Sequence, residues 1–225
     1  MKHLEYELER MHRDVLRVAA AVEAAITAAM EAVHRRDASL ARKVVAGDDE
    51  IDDEENQVDE ECLKILARYQ PVAIDLRRVT AVLRISTDLE RMADLAGAMA
   101  ERAVALTELP PLPAPPQLQA MSDLTISMVR QVLDAFIHLD SGLARAVWRL
   151  DDQVDRLNVE AIAELVAAMK ASPDAVDAGL SLFSAVRHLE QIADHATTIA
   201  EDVIYLIEGE IVRHRPLALE QPEAP

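Results

Sequence analysis

The chain has 225 residues, 51% hydrophobic and 28% charged, with only 3% aromatic and five glycines. Its net charge of −18 argues against nucleic acid and anionic membrane surfaces as direct partners, because both would repel it. No apolar run reaches the roughly 18 residues of a membrane span, and the N-terminus lacks a signal-peptide core. The single Cys62 cannot form an internal disulfide, which fits a cytoplasmic location.

Ala, Leu, Val, Glu and Arg dominate, the composition of long packed helices. A first helix is expected over 3–36 and a second over 39–69, where Val44, Ile51, Val58 and Ile65 recur every seven residues as a buried stripe. A third is expected over 72–107, beginning near Pro71. Five of the ten prolines then fall between Leu109 and Pro116, a stretch read as a stiff linker that holds the halves apart. Three further helices follow over 118–139, 141–171 and 174–209, with Ser172 as an N-cap before Pro173. In the last of them Leu189, Ala193, Ala196, Ala200 and Val203 share a stripe whose small residues permit close helix approach. The final residues are polar and contain proline, so a flexible tail is expected.

The halves repeat each other. Asp37-Ala38-Ser39-Leu40-Ala41-Arg42 aligns with Asp140-Ser141-Gly142-Leu143-Ala144-Arg145 at an offset of 103, and Pro71 aligns with Pro173 at 102. This tandem duplication outranks local propensity in setting the fold. The expected architecture is all-α, two pseudo-symmetric three-helix bundles in one chain. Their bounds are 1–108 and 118–212, joined by the linker 109–117 and followed by the tail 213–225.

A shared motif marks each third helix. Leu89-Glu90-Arg91-Met92-Ala93-Asp94 and Leu189-Glu190-Gln191-Ile192-Ala193-Asp194 stand 100 residues apart. On a helix each Glu and Asp are i,i+4 neighbours, and two like charges so placed weaken an isolated helix by a few tenths of a kcal/mol. The second helix adds ten acids between Asp48 and Glu61. A charge run of this kind is ordinarily a solvated face. The duplication filters it, because Asp48 and Asp52 map onto Asp151 and Asp155 whereas Asp53 and Glu54 map onto Arg156 and Leu157. Each half therefore offers two acidic pairs on two helices, which an antiparallel bundle can bring face to face.

Four convergent carboxylates are costly without a cation, and all-oxygen donors suit hard or borderline ions such as Mg, Mn, Ca or Fe. Glu101 and Glu201 share the stripes of their motifs and could extend the sites. His195 has only Leu95 as counterpart and is at best an accessory ligand. A di-iron site of the ferritin type needs Glu-x-x-His on two helices. Glu9-x-x-His12 and Glu31-x-x-His34 both lie on the first helix, which excludes it. There is no phosphate-cradling glycine loop, nucleophile elbow or Cys-x-x-Cys. Cys62, Met92 and Trp148 read as core. Read from these residues alone, the chain could be a metal-dependent carboxylate enzyme or an ion-free helical scaffold.

Taken together, Gln70-Pro71-Val72-Ala73-Ile74-Asp75-Leu76-Arg77, Asp88-Leu89-Glu90-Arg91-Met92-Ala93-Asp94 and the run from Leu189 to Leu206 resemble signatures of the PhoU phosphate-transport regulators. So do Leu4-Glu5-Tyr6-Glu7-Leu8 and the acidic motif at Asp48. The resemblance spans about residues 3–212. It implies a non-enzymatic cytoplasmic regulator acting between the ATPase subunit of a phosphate ABC transporter and a sensor histidine kinase, with a homodimer expected. It also implies metal clusters, of Fe, Mn, Zn or Mg, on Asp48, Asp52, Glu90 and Asp94 and on Asp151, Asp155, Glu190 and Asp194. The sequence departs from the family pattern at Ala93 and Ala193, where Gly is usual, at Gln191, where Arg is usual, and at Thr198, where Asn is usual.

Overall fold

The structure, a computed structural model, describes residues 2–212; the expected tail from 213 onward lies outside the described residues. Six helices form it: α1 (Lys2–Arg35), α2 (Ala38–Tyr69), α3 (Ala73–Glu108), α4 (Pro116–His138), α5 (Ser141–Ala171) and α6 (Val176–Glu208).

The duplicated turns show why the chain reverses where it does. Arg36 and Leu139 adopt left-handed φ angles of 53° and 51°, each costing about 1 kcal/mol for a residue with a Cβ. The next N–H, from Asp37 or Asp140, returns to the carbonyl of Ala32 or Ala135 at 3.0 or 2.9 Å. The Asp37 carboxylate then accepts from the N–H groups of Ser39 and Leu40 at 2.9 and 3.0 Å, and that of Asp140 from Leu143 at 2.9 Å. The same residue thus ends one turn and caps the next helix, which places α2 against α1 and α5 against α4.

Two local expectations are corrected. Ser172 makes no side-chain cap bond, and a 3-10 turn, Pro173–Ala175, precedes α6 instead. Helix α4 begins at Pro116, inside the expected linker, because proline at the first helical position gives up only an N–H that has no partner there.

Burial repeats with the sequence. Val22, Ile26 and Met30 of α1 and Thr125, Val129 and Leu133 of α4 are buried at the offset of 103, as are Val44 and Ile51 with Val147 and Val154. At the offset of 100, Ile85, Leu89 and Met92 of α3 match Ala185, Leu189 and Ile192 of α6. Each half is a three-helix bundle.

The linker does not hold the halves apart. Helices α3 and α6 form the most extensive helix–helix packing in the molecule, and the buried apolar residues of both halves join in one core. The polar links across the seam fix its direction. Arg77 Nε donates to the Leu206 carbonyl at 3.3 Å, Arg84 pairs with Asp202 at 3.0 Å, and Asp88 meets His195 at 2.9 Å. Numbers rise on α3 as they fall on α6, so the two run antiparallel. The segment between α3 and α4 lies along the surface, with the Leu109 carbonyl accepting from Arg36 at 2.7 Å and Leu112 packed on the core.

Two outcomes follow. Proteolytic nicking between Leu109 and Gln117 leaves a single particle on size exclusion, since the halves share one core; separation of the fragments would contradict this. Asp202 is 1% exposed, so Arg84→Ala strips a buried carboxylate of a cationic partner. Denaturant unfolding should show a loss on the order of 2 kcal/mol, between the values for exposed and fully buried pairs.

Candidate functional site

Both acid clusters form at helix seams. In the first half, Asp48 and Asp52 of α2 face Glu90 and Asp94 of α3. The Asp48 carboxylate lies against the α3 backbone, its Oδ2 3.6 Å from where a Cβ on Gly97 would stand. Burial, then Asp52 and Asp94, raise the pKa of Asp48; burial and Asp94 raise that of Asp52. Burial, Asp94 and Asp52 raise that of Glu90, with Arg91 opposing. The four expected residues are therefore one electrostatic group.

The second half repeats this. Burial pushes Asp151 up to about 6, helped by the charges of Asp194, Asp155, Asp152 and Glu190. Asp194 is raised by burial, Glu190 and Asp155, with His195 and Arg187 opposing. Glu190 Oε1 accepts from Arg187 at 2.8 Å, and its other oxygen is buried without a hydrogen-bond partner. Asp151 is shifted further than its counterpart Asp48. Where Gly97 leaves the α3 surface bare beside Asp48, the equivalent α6 position carries Thr197.

The carboxylates share a locus but stand apart. Among the described residues, no three His, Cys, Asp or Glu side chains are gathered tightly enough to hold a metal ion as they stand.

Sequence reasoning missed two members of the first cluster. Burial, Asp59, Glu90 and Asp52 raise the pKa of Glu55, and Asp59 keeps a buried oxygen without a hydrogen bond. The duplication filter discards them, because their counterparts are Asn158 and Ile162. Their helical spacing from Asp52, at i+3 and i+7, was the available signal.

Other expectations are settled by position. Glu101 does not extend the first cluster: it bonds Arg102 at 3.3 Å and acts on His188 of α6. Glu201 is half-buried on α6. His195 reaches across the seam to Asp88 instead of turning to its own acids. Between the clusters lies a shallow depression of ≈420 Å³ lined by Arg91, Asp94, Gln191, Asp194, His195 and Thr198. Ala93 and Ala193 are 1% and 0% exposed and belong to the apolar core, so their methyl groups pack away from the depression. Cys62 is fully buried, and burial pushes its thiol up to about 12, too high for a nucleophile at neutral pH.

Two antiparallel-packed three-helix bundles, each carrying an acidic pair on its second and third helices, define a tandem PhoU-domain architecture. The chain belongs to the PhoU family: the model of the PhoU domain matches residues 15–103 and again 118–203. Among similar proteins, the phosphate-specific transport system accessory protein PhoU homolog of Pseudomonas putida is 39% identical, covering 94% of this chain and 83% of that protein. The homolog of the same name from Aquifex aeolicus is 40% identical, covering 93% and 95%. The crystal structure of PhoU from Pseudomonas aeruginosa is 38% identical with a TM-score of 0.88, over 92% of this chain and 99% of that one. That of the phosphate transport system regulatory protein PhoU from Streptococcus pneumoniae is 27% identical with a TM-score of 0.86, over 93% and 99%.

The raised carboxylates set a pH dependence for the chelator-stripped protein. A group whose folded pKa lies above its unfolded value stabilises the fold below the unfolded pKa and loses that contribution as pH rises through the folded one. For Asp151 the window runs from 3.8 to about 6. The melting temperature of stripped protein should therefore fall across this window, and Asp151→Asn should flatten the fall. At pH 7.5 the variant should be more stable by roughly 1 kcal/mol, after allowance for solvent screening. An unchanged profile would remove the cluster's repulsion from the account.

Proposed function

We propose that this protein regulates phosphate transport and restrains the phosphate-starvation response, acting in the cytoplasm through contacts with other proteins and not by catalysis. The observation that carries this reading is the tandem PhoU architecture over nearly the full length of relatives named as phosphate-transport accessory proteins. The expected partners are the ATPase subunit of a phosphate ABC transporter and the sensor histidine kinase of the phosphate response. No helix among the described residues is long and apolar enough to cross a membrane. Contact with a membrane transporter would then be made by protein surfaces. Deleting the gene, with any paralogue, should raise phosphate-starvation gene expression in phosphate-replete medium. Unaltered expression would overturn the regulatory reading.

The same reading gives the acid clusters a metal. The donor chemistry suits such an ion, being hard carboxylate oxygens of which Asp52 and Glu190 each keep one buried without a partner, and the side chains would have to draw together to close on it. Asp48, Asp52, Glu90 and Asp94 would hold one site, and Asp151, Asp155, Glu190 and Asp194 the other. A bound Fe, Mn, Zn or Mg ion supplies positive charge that offsets the repulsion and ties the second helix to the third. Glu90→Gln with Asp94→Asn should lower metal per chain, measured by elemental analysis of protein purified without a His tag, while helix content by circular dichroism stays constant. Equal metal content in variant and wild type would sink the first site.

A further inference from the structure

On the outer face of the first bundle, between α1 and α2, runs an apolar groove of ≈300 Å³. Leu40, Val44 and Ile51 form its floor, with Ala21, Ala25 and Ala28 along one side. The second bundle treats the same place differently. At the offset of 103, Ala21 and Ala25 become Leu124 and Met128, and Gly47 on the α2 wall becomes Leu150. Leu124 and Leu150 are partly buried and pack against the core. One half thus supplies from its own side chains the apolar volume that the other leaves open.

Gly47 sharpens the contrast. It lies inside the 32-residue helix α2, where glycine is the poorest helix former after proline. A Cβ added there would meet nothing within 4 Å, so no neighbour among the described residues calls for the missing side chain. Glycine at such a place fits the close approach of another backbone. The charges at the groove are ordered as well. Glu50 and Glu54 stand at one end and Lys43 at the other, separated by about two to three turns, or ~10–16 Å along α2. Arg17 engages Glu54 at 3.3 Å, and Glu50 is exposed.

We propose that this groove receives a helix from a partner protein. Its apolar ridge carries Leu- or Met-sized side chains, a Lys or Arg faces Glu50 and Glu54, and an acidic residue faces Lys43. The ridge takes the space that Leu124 and Leu150 fill in the second bundle, and the charges set the direction in which the helix lies. This deepens the reading of the protein as one that works through protein contacts, and rests on it for the partner's role.

The test uses the full chain. Gly47→Leu combined with Ala21→Leu copies the second bundle's own fillers and leaves the charge unchanged. Leu is a strong helix former, far better than the Gly it replaces at 47, so the variant should melt no lower than wild type. The probe is a synthetic amphipathic peptide about four turns long, with Leu at i, i+3, i+4 and i+7, Lys near one end and Glu near the other. Titrated into methyl-labelled protein, it should shift the methyls of Ala21, Ala25, Ala28, Val44 and Ile51. The filled variant should bind at least about tenfold more weakly. Equal affinity for both proteins, absence of binding to both, or shifts spread over the acidic surface would overturn the proposal. In cells the filled variant should accumulate normally yet lose phosphate repression; retained repression would count against the groove equally. If the gene deletion itself leaves phosphate-responsive expression unaltered, the regulatory reading fails, and the peptide titration still decides the groove.

Discussion

The antiparallel packing of α3 against α6 constrains most of what the molecule can do. Each of these helices serves its own three-helix bundle and the joint between bundles at once. A helix with neighbours on three sides has little circumference left for polar groups. Ala93, Ala96 and Ala100 on α3 and Ala193, Ala196 and Ala200 on α6 are at most 1% exposed, and their small size lets the neighbouring helices come close. What remains is a narrow polar stripe at the seam edges. Glu90 and Asp94, like Glu190 and Asp194, have nowhere else to go.

That confinement explains the electrostatics. The acids cannot spread out, because the second helix brings further carboxylates to the same seam. They cannot be fully hydrated, because partial burial removes some of their water. Both effects favour the protonated form, and all the resolved carboxylate shifts in the two clusters run upward. The halves relieve the strain differently. Glu190 has Arg187 at 2.8 Å, a position occupied by Thr87 in the first half. Glu90 has Arg91 nearby, where the second half has Gln191. Relief by one arginine is incomplete in either case, since Asp52 and Glu190 still keep a buried oxygen unpaired.

The helices were legible in the sequence because proline, the Asp caps and the heptad stripe each act locally. The acid clusters were legible because duplication exposes paired chemistry. The seam between halves was harder to read. A proline-rich segment looks like a spacer, but the distance between two bundles is set by what their surfaces bury, and small side chains on α3 and α6 decide that. Glu55 and Asp59 were lost to the same filter that found Asp48 and Asp52, because a repeat reports only what both halves kept. The cross-seam partners Asp88 and His195 carry no sequence signal, since antiparallel packing pairs a residue with one that is not its repeat.

Residues that repeat describe the common fold, and residues that break the repeat describe what each end does alone. Around the pseudo-twofold of α3 and α6, Arg84 and Asp202 correspond to Ser184 and Arg102, and Asp88 and His195 to His188 and Leu95. One end of the seam therefore joins the halves through the Arg84–Asp202 ion pair, on a carboxylate that is 1% exposed, and the Asp88–His195 hydrogen bond. The other end brings Arg102 near His188, whose pKa is lowered by burial and by that arginine. There Arg102 Nε and His188 Nδ1 are both buried without hydrogen-bond partners. A buried polar atom without a partner costs stability, whereas a satisfied cross-seam bond contributes to it. The polar links that join α3 to α6 among the described residues therefore gather where α3 begins and α6 ends, from Arg77 and Leu206 through Arg84 and Asp202 to Asp88 and His195, and the far end is held by apolar packing.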